Sequence, residues 1–396
     1  MSYTNSKQFC VIPWHGVFLG HHHKLAPCCM WANSTTSLHK SKDLLTKYIN
    51  EMIPVREKMI AGTDIEGCRD CYRSEEEGIF SLRQAFNEYY TYHYDYDYEK
   101  HIQDFNFLEL EVKITDVCNY ACAMCNPRNS TKIHTEWSKS LDYDHIKQFL
   151  DKNPNYLEII RKNHTGPNKE KTYEILRNML TQNSIRRLKI SGGEPLLDTE
   201  LIKILKNLDK TKKSNIALNI STNGSQDIVN WTKKIGDFEL INFTVSLEGV
   251  GKVQEYIRKH CVWDEVEKNI LLLKELTLRD ERYNIDTNYV LQGMSIPNLD
   301  KLVLWTYNND IPFGYSGLMT DQTYYAKLLS KNILNNNIIN NSISKLEKIQ
   351  PKEDWKKLLK NKYNKELHKE FLTWIKWYER NSKIKLINIL PELYEI

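Results

Sequence analysis

The alternation of apolar and polar positions divides the chain into three stretches of different grammar. Residues 107–114, Phe-Leu-Glu-Leu-Glu-Val-Lys-Ile, alternate with period two, as a half-buried strand does. Further strands are expected at 187–191, 216–221, 241–247, 285–291 and 312–315. Between them, apolar residues recur at helical spacing over 142–150, 173–180, 199–208, 228–235 and 262–277. Strands alternating with helices predict an α/β unit on a parallel sheet, open or closed into a barrel. Ahead of it, residues 1–104 read as a loop-rich module. Two short strands, 11–19 and 25–30, flank the turn Gly20-His21-His22-His23, and helices are expected at 44–59 and 81–90. From about residue 321 the pattern is helical and basic. The expected domains are therefore 1–104, 105–320 and 321–396.

Composition narrows the function classes. A chain of 396 residues, at roughly 150 per domain, predicts two or three domains with ample core. Lys plus Arg total 55 against 51 Asp plus Glu, a net charge of +4 that makes no nucleic-acid footprint. Residues 331–396 hold 14 Lys plus Arg against 8 Asp plus Glu and read as a solvated helical cap. No apolar run approaches the roughly 18 residues of a membrane span. The first twenty residues lack a basic start, and Pro13 and His15 interrupt their apolar stretch, so they do not read as a signal peptide. The expectation is a cytoplasmic protein with reduced thiols and neither membrane nor nucleic acid as partner. Six tyrosines between Tyr89 and Tyr98 read as a half-exposed connector and not as a radical relay.

The nine cysteines carry the chemistry, and eight of them lie in the first third of the chain. An odd, clustered set in a reducing compartment points to metal ligation and away from disulfides. Cys118, Cys122 and Cys125, spaced C-x3-C-x2-C, follow the strand at 107–114. Three thiolates on one loop can hold three corners of an iron–sulfur cube, leaving one iron open for chemistry. Zinc sites draw paired cysteines from two segments, so three from one loop favour the cube over a zinc knuckle. Upstream, Cys10, one of the adjacent Cys28 and Cys29, and the C-x2-C pair Cys68 and Cys71 make four thiolates. Four saturate a [4Fe–4S] cluster or an all-cysteine zinc site. Adjacent strand residues face opposite ways, so only one of Cys28 and Cys29 belongs to it. The histidine triplet reads as a polar turn, and Cys261 as a free, partly buried thiol.

The three-cysteine loop resembles the signature of the radical S-adenosylmethionine (SAM) enzymes, and further matches follow in order. Ser191-Gly-Gly-Glu-Pro195 resembles their GGEP segment. Ser221-Thr-Asn-Gly224 ends the next strand, and Ser246-Leu-Glu248-Gly249 resembles a ribose-contacting motif. The resemblance covers about residues 105–320. It implies a partial (β/α)6 barrel whose [4Fe–4S] cluster, on Cys118, Cys122 and Cys125, reductively cleaves SAM to a 5′-deoxyadenosyl radical that abstracts substrate hydrogen. The same resemblance implies SAM contacts from Met124, where an aromatic residue is frequent, from Gly192, Gly193 and Glu194, and from Ser221, Asn223, Ser246 and Glu248. Glu194 would accept from the SAM ammonium. Glu248, longer than the frequent Asp, would reach the ribose. The N-terminal cysteines, with Glu75, Gly78, Ser81 and Arg83, resemble auxiliary-cluster twitch or SPASM-like modules placed ahead of the barrel. That implies a second [4Fe–4S] cluster on Cys10, Cys28, Cys68 and Cys71, with Cys28 preferred because it follows Pro27. The implied partners are a peptide or protein side chain as substrate and a flavodoxin or ferredoxin as electron donor. Rival readings are modification of a small molecule, sugar or RNA, and a non-catalytic iron–sulfur electron-transfer scaffold.

Overall fold

Alternating strands bury one face and leave the other for chemistry, and the sheet of this protein is built that way. The computed structural model describes residues 6–20, 24–31, 36–37, 44–76, 78–141, 144–152, 154–161, 169–317 and 324–395. The histidine triplet lies outside them. The strands are β1 (Gly16–Gly20), β2 (Lys24–Ala26), β3 (Thr36–Ser37), β4 (Glu109–Thr115), β5 (Ala121–Cys122), β6 (Arg187–Gly192), β7 (Ala217–Thr222), β8 (Leu240–Ser246), β9 (Arg258–Lys259), β10 (Tyr283–Leu291) and β11 (Phe313–Gly317). Nine form one sheet in the order β11-β10-β8-β7-β6-β4-β1-β2-β3. In that order the neighbours from β11 to β1 are parallel, and β2 pairs antiparallel with both β1 and β3.

The strands at 109–115, 187–192, 217–222, 240–246, 283–291 and 313–317 fall on the expected segments with ends shifted by a few residues. Leu110, Val112, Leu188, Ile190, Leu218, Ile220, Ile241, Phe243 and Val245 are buried against the covering helices. The alternate positions Lys189, Asn219, Asn242, Thr244, Asp286 and Asn288 are half-buried and polar. A parallel sheet covered by helices on both faces would read as continuous apolar runs. This alternation instead leaves a polar inner face, as expected for a partial barrel.

The N-terminal region departs from its expected outline. Residues 12–15 form a helical turn with Pro13 in its first positions, and strand geometry begins only at Gly16. Proline has no N–H for a strand ladder and its φ suits a first helical turn. The strand expected over 25–30 stops at Ala26, before Pro27. β1 then pairs parallel with β4, Phe18 opposite Glu111, so the sheet runs across the expected boundary at residue 104. Of the six tyrosines, Tyr90 and Tyr98 are core residues and not half-exposed. Tyr98 hydrogen-bonds His15 Nε2 at 3.2 Å, and Tyr90 donates to Glu109 Oε2 at 2.8 Å. At the other end of the chain, the helices Asn336–Ile349 and Lys365–Tyr378 bury Ile338, Leu346, Phe371 and Trp374. Tyr378 donates to Tyr256 O at 3.0 Å, which ties this region to the barrel beside β9.

Candidate active site

The loop after β4 is short, cysteine-bearing and held from three sides. On the first side, Gly193 N–H donates to Thr115 O at 2.8 Å and Glu194 N–H to Val117 O at 2.7 Å. A Cβ on Gly193 would stand 2.7 Å from the Val117 carbonyl carbon, and one on Gly192, at φ +149°, 2.6 Å from Thr115 O. The double glycine thus lets the cysteine loop's own backbone close onto the end of β6. On the second side, Ser130 caps the helix Thr131–Ser138 and its hydroxyl donates to Tyr120 O at 3.0 Å. On the third, β5 pairs antiparallel with β9, which places Cys122 opposite Arg258.

Cys122 is buried, and Cys118 and Cys125 are half-buried. Tyr120 N–H donates to Cys118 Sγ at 3.5 Å, and Arg258 Nη1 donates to Cys122 Sγ at 3.7 Å. Burial, with Cys125 and Glu194 nearby, pushes the Cys118 thiol up to about 11, while the Tyr120 N–H opposes the shift. Burial raises Cys122 against the pull of Arg258, and neighbouring Cys118 and Cys125 add to the rise. Among the described residues, no three His, Cys, Asp or Glu side chains are gathered around a point as one metal ion requires. A cube binds each thiolate to a different iron, which asks for a more widely spaced set. Three thiols on one loop, two of them already receiving hydrogen bonds at sulfur, match that chemistry.

The acidic residues singled out beside the loop are inward-facing. Glu194 is fully buried. Its Oε1 accepts from Thr222 Oγ1 at 2.7 Å and Leu196 N–H at 3.2 Å, and its Oε2 from Asn223 N–H at 2.7 Å. Burial raises its pKa to about 7, with those donors pulling the other way. The carboxylate therefore locks the end of β7 to the loop after β6. Asn223 donates through Nδ2 to Asn119 Oδ1 at 3.0 Å, joining the same end of β7 to the cysteine loop. Glu248, which the resemblance sets at the ribose, is held from within the protein. It is fully buried, its Oε1 is 2.8 Å from Arg258 Nη2, and its Oε2 accepts from Val290 N–H at 3.2 Å. Burial holds its pKa up near about 7 despite Arg258. Ser221 and Ser246 stand at half-buried strand ends, and Met124 packs half-buried against the core.

The second cysteine set converges from three separate segments. Cys10, Cys28, Cys68 and Cys71 line one cavity together with Pro27, Trp31 and Arg83. Cys29 is turned away, hydrogen-bonded to Glu111 and near Lys189, so the adjacent pair is separated in a turn beyond the end of β2. The Cys10 segment is pinned on both sides. Arg83 Nη1 donates to Phe9 O at 2.8 Å, and Asn87 accepts from Val11 N–H and donates to Phe9 O, both at 2.9 Å. Glu75 gathers Arg83 (2.6 Å) and Ser81 (2.5 Å), so three of the four residues noted in sequence form one bracket. Trp31 Nε1 is buried with no hydrogen-bond partner among the described residues. Four thiols and a spare N–H around an otherwise apolar cavity fit a sulfur-rich group.

Cys261 is buried, free and hydrogen-bonded to Tyr120, in agreement with a structural thiol. Sequence reasoning missed Arg258, although nearby Cys261 drew notice. Its position three residues before Cys261 carries no motif. The signal is the cross-strand register with Cys122, which a single sequence does not display.

Residues 112–305 match the family model described as the radical SAM superfamily. Seventy residues are 40% identical to a "Probable GTP 3',8-cyclase" of Methanococcus maripaludis, a match covering 18% of this chain and 22% of that protein. The chain thus spans about a fifth of that relative. A structure of Streptococcus suis SuiB bound to S-adenosylmethionine overlaps 76% of this chain and 62% of its own. Its identity is 13% and its TM-score 0.37, too low to argue shared architecture. Among the described residues, no helix is long and apolar enough to cross a membrane. The chain carries a radical SAM superfamily domain over residues 112–305, and such a domain implies a [4Fe–4S] cluster and SAM.

Proposed function

We propose that the protein is a radical SAM enzyme whose catalytic cluster is held by Cys118, Cys122 and Cys125. The observation that carries this reading is the docking of the cysteine loop on Gly193 and Glu194, since it binds the two most specific motifs into one site. Bound cluster and SAM would together supply one-electron cleavage of the sulfonium to a 5′-deoxyadenosyl radical, which takes hydrogen from substrate. The chain's own residues orient and shield. Gly192 and Gly193 let the loop close, Glu194 and Asn223 fix its floor, and Ser221, Ser246 and Met124 would contact SAM. Cys10, Cys28, Cys68 and Cys71 would hold a second, coordinatively saturated [4Fe–4S] cluster, suited to electron transfer or substrate positioning. A flavodoxin or ferredoxin would deliver the electron.

The leading substrate is a peptide or protein side chain, because the N-terminal cysteine set follows the twitch and SPASM-like pattern. A small polar molecule is the second reading, favoured by the 70-residue likeness to the GTP cyclase and by the polar inner face of the sheet. Anaerobically reconstituted, reduced protein incubated with SAM is expected to release 5′-deoxyadenosine and methionine. Cluster-loaded protein that releases neither would favour an electron-transfer scaffold. Incubation with host extract, followed by mass spectrometry, separates the two substrate classes.

A further inference from the structure

The mouth of the barrel holds a buried ion pair that SAM binding as described above does not use. Arg258 and Glu248 are 9% and 0% exposed, and their closest atoms are 2.8 Å apart. Burying two charges costs several kcal/mol each, and removing one partner is far costlier than replacing both. A pair in this position therefore needs a reason beyond stability.

Its geometry supplies one. The antiparallel β5–β9 pairing sets Arg258 opposite Cys122, and Ala123 N–H donating to Ile257 O at 2.8 Å extends the register. From there the guanidinium reaches in two directions at once, as its planar fork allows. Nη2 meets Glu248, and Nη1 donates to Cys122 Sγ at 3.7 Å. Glu248 is itself anchored, because its second oxygen accepts from Val290 N–H and from Gln292 Nε2 at 3.4 Å. The Arg258 Nε–H is buried with no partner among the described residues. A full positive charge with a spare donor is thus held against one sulfur of the three-cysteine loop.

We infer that Arg258 is a positioning residue that raises the reduction potential of a cluster on Cys118, Cys122 and Cys125, with Glu248 as the strut that holds and moderates it. The inference rests on the cluster assignment under Proposed function. Reduction adds negative charge to the cluster, and a nearby cation in a low-dielectric setting favours the reduced state. Net charge and hydrogen bonds to sulfur are established determinants of cluster potential. The carboxylate of Glu248 opposes the effect from farther away, so the two residues bias the potential in opposite senses.

The test is a mediated redox titration of the full-length, anaerobically reconstituted protein, followed by electron paramagnetic resonance. The barrel cluster is identified by the change in its signal on adding SAM. Arg258→Gln is expected to shift its midpoint to more negative potential, with Arg258→Lys recovering part of the shift. Glu248→Gln is expected to shift it the other way. Midpoints equal to wild type in loaded Arg258→Gln and Glu248→Gln proteins would overturn the inference while leaving the cluster assignment intact. If Arg258→Gln does not load iron, Glu248→Gln decides alone, since a loosened site would not produce a positive shift. A wild-type protein with no SAM-responsive cluster would remove the assignment and the inference together.

Discussion

The two cysteine sites are opposites in construction. The N-terminal set draws four thiols from three segments into a mostly apolar cavity, with the Cys10 segment braced by tertiary hydrogen bonds such as Arg83 to Phe9 O. The barrel set takes three thiols from one loop and surrounds them with charge: Arg258, Glu248 and the fully buried Glu194. A saturated, apolar shell suits a centre that only passes electrons or braces a neighbour. An unsaturated set beside ionic groups and a polar sheet face suits one that takes a ligand. On the proposed assignment, ligand count and surroundings would give similar thiols different work.

The contrast breaks or sharpens under substitution. The largest effect is expected from replacing Cys118, Cys122 and Cys125 together by Ala. SAM cleavage should vanish, while anaerobic reconstitution should still load roughly four irons, the content of one N-terminal cubane. Zinc without iron in that variant, measured by elemental analysis, would recast the N-terminal site as structural. In the same background, Cys28→Ala should lose the remaining iron and Cys29→Ala should keep it, because only Cys28 lines the cavity. Iron retained by Cys28→Ala and lost by Cys29→Ala would shift the ligand along the strand.

Smaller effects probe the supports. Glu194→Gln presents an amide donor to donors that now feed a carboxylate. It should cost about 1.5–3 kcal/mol of stability in denaturant titration, and lower SAM affinity with it by disturbing the floor of the loop. Unchanged stability would show that the Thr222 and Asn223 contacts are dispensable. A second support is His15, on the N-terminal side. Burial lowers its pKa from 6.5 to about 4, with Asn106 O opposing the shift and Arg56 adding to it. The unfolded chain therefore binds the extra proton between those values, and stability falls as pH drops from above 6.5 toward 4. The linked loss is about 3 kcal/mol, and His15→Gln should flatten that part of the stability–pH curve. A slope unchanged by the substitution would move the titration to another group.

Much of this was legible along the chain, and the reason is locality. Side-chain alternation is a property of neighbouring residues, so the strands at 109–115, 187–192, 217–222, 240–246 and 283–291 lie where the apolar pattern put them. Cysteine spacing is local as well, and the radical SAM domain at 112–305 follows from motifs each a few residues long. The prolines at 13 and 27 are local signals too, and they bound the N-terminal strands.

What the tertiary structure alone decided involves pairs of residues distant in sequence. Cys28 faces Cys10, Cys68 and Cys71 only because three segments converge, and β1 joins the barrel sheet only by pairing with β4 some ninety residues later. Glu248 stands ten residues before Arg258 and reads as a strand-end acid. The register of β9 against β5 brings that arginine onto Cys122 and turns the acid inward. Periodicity specifies which way a side chain points relative to its own strand, and only the packing of other segments decides what it meets there.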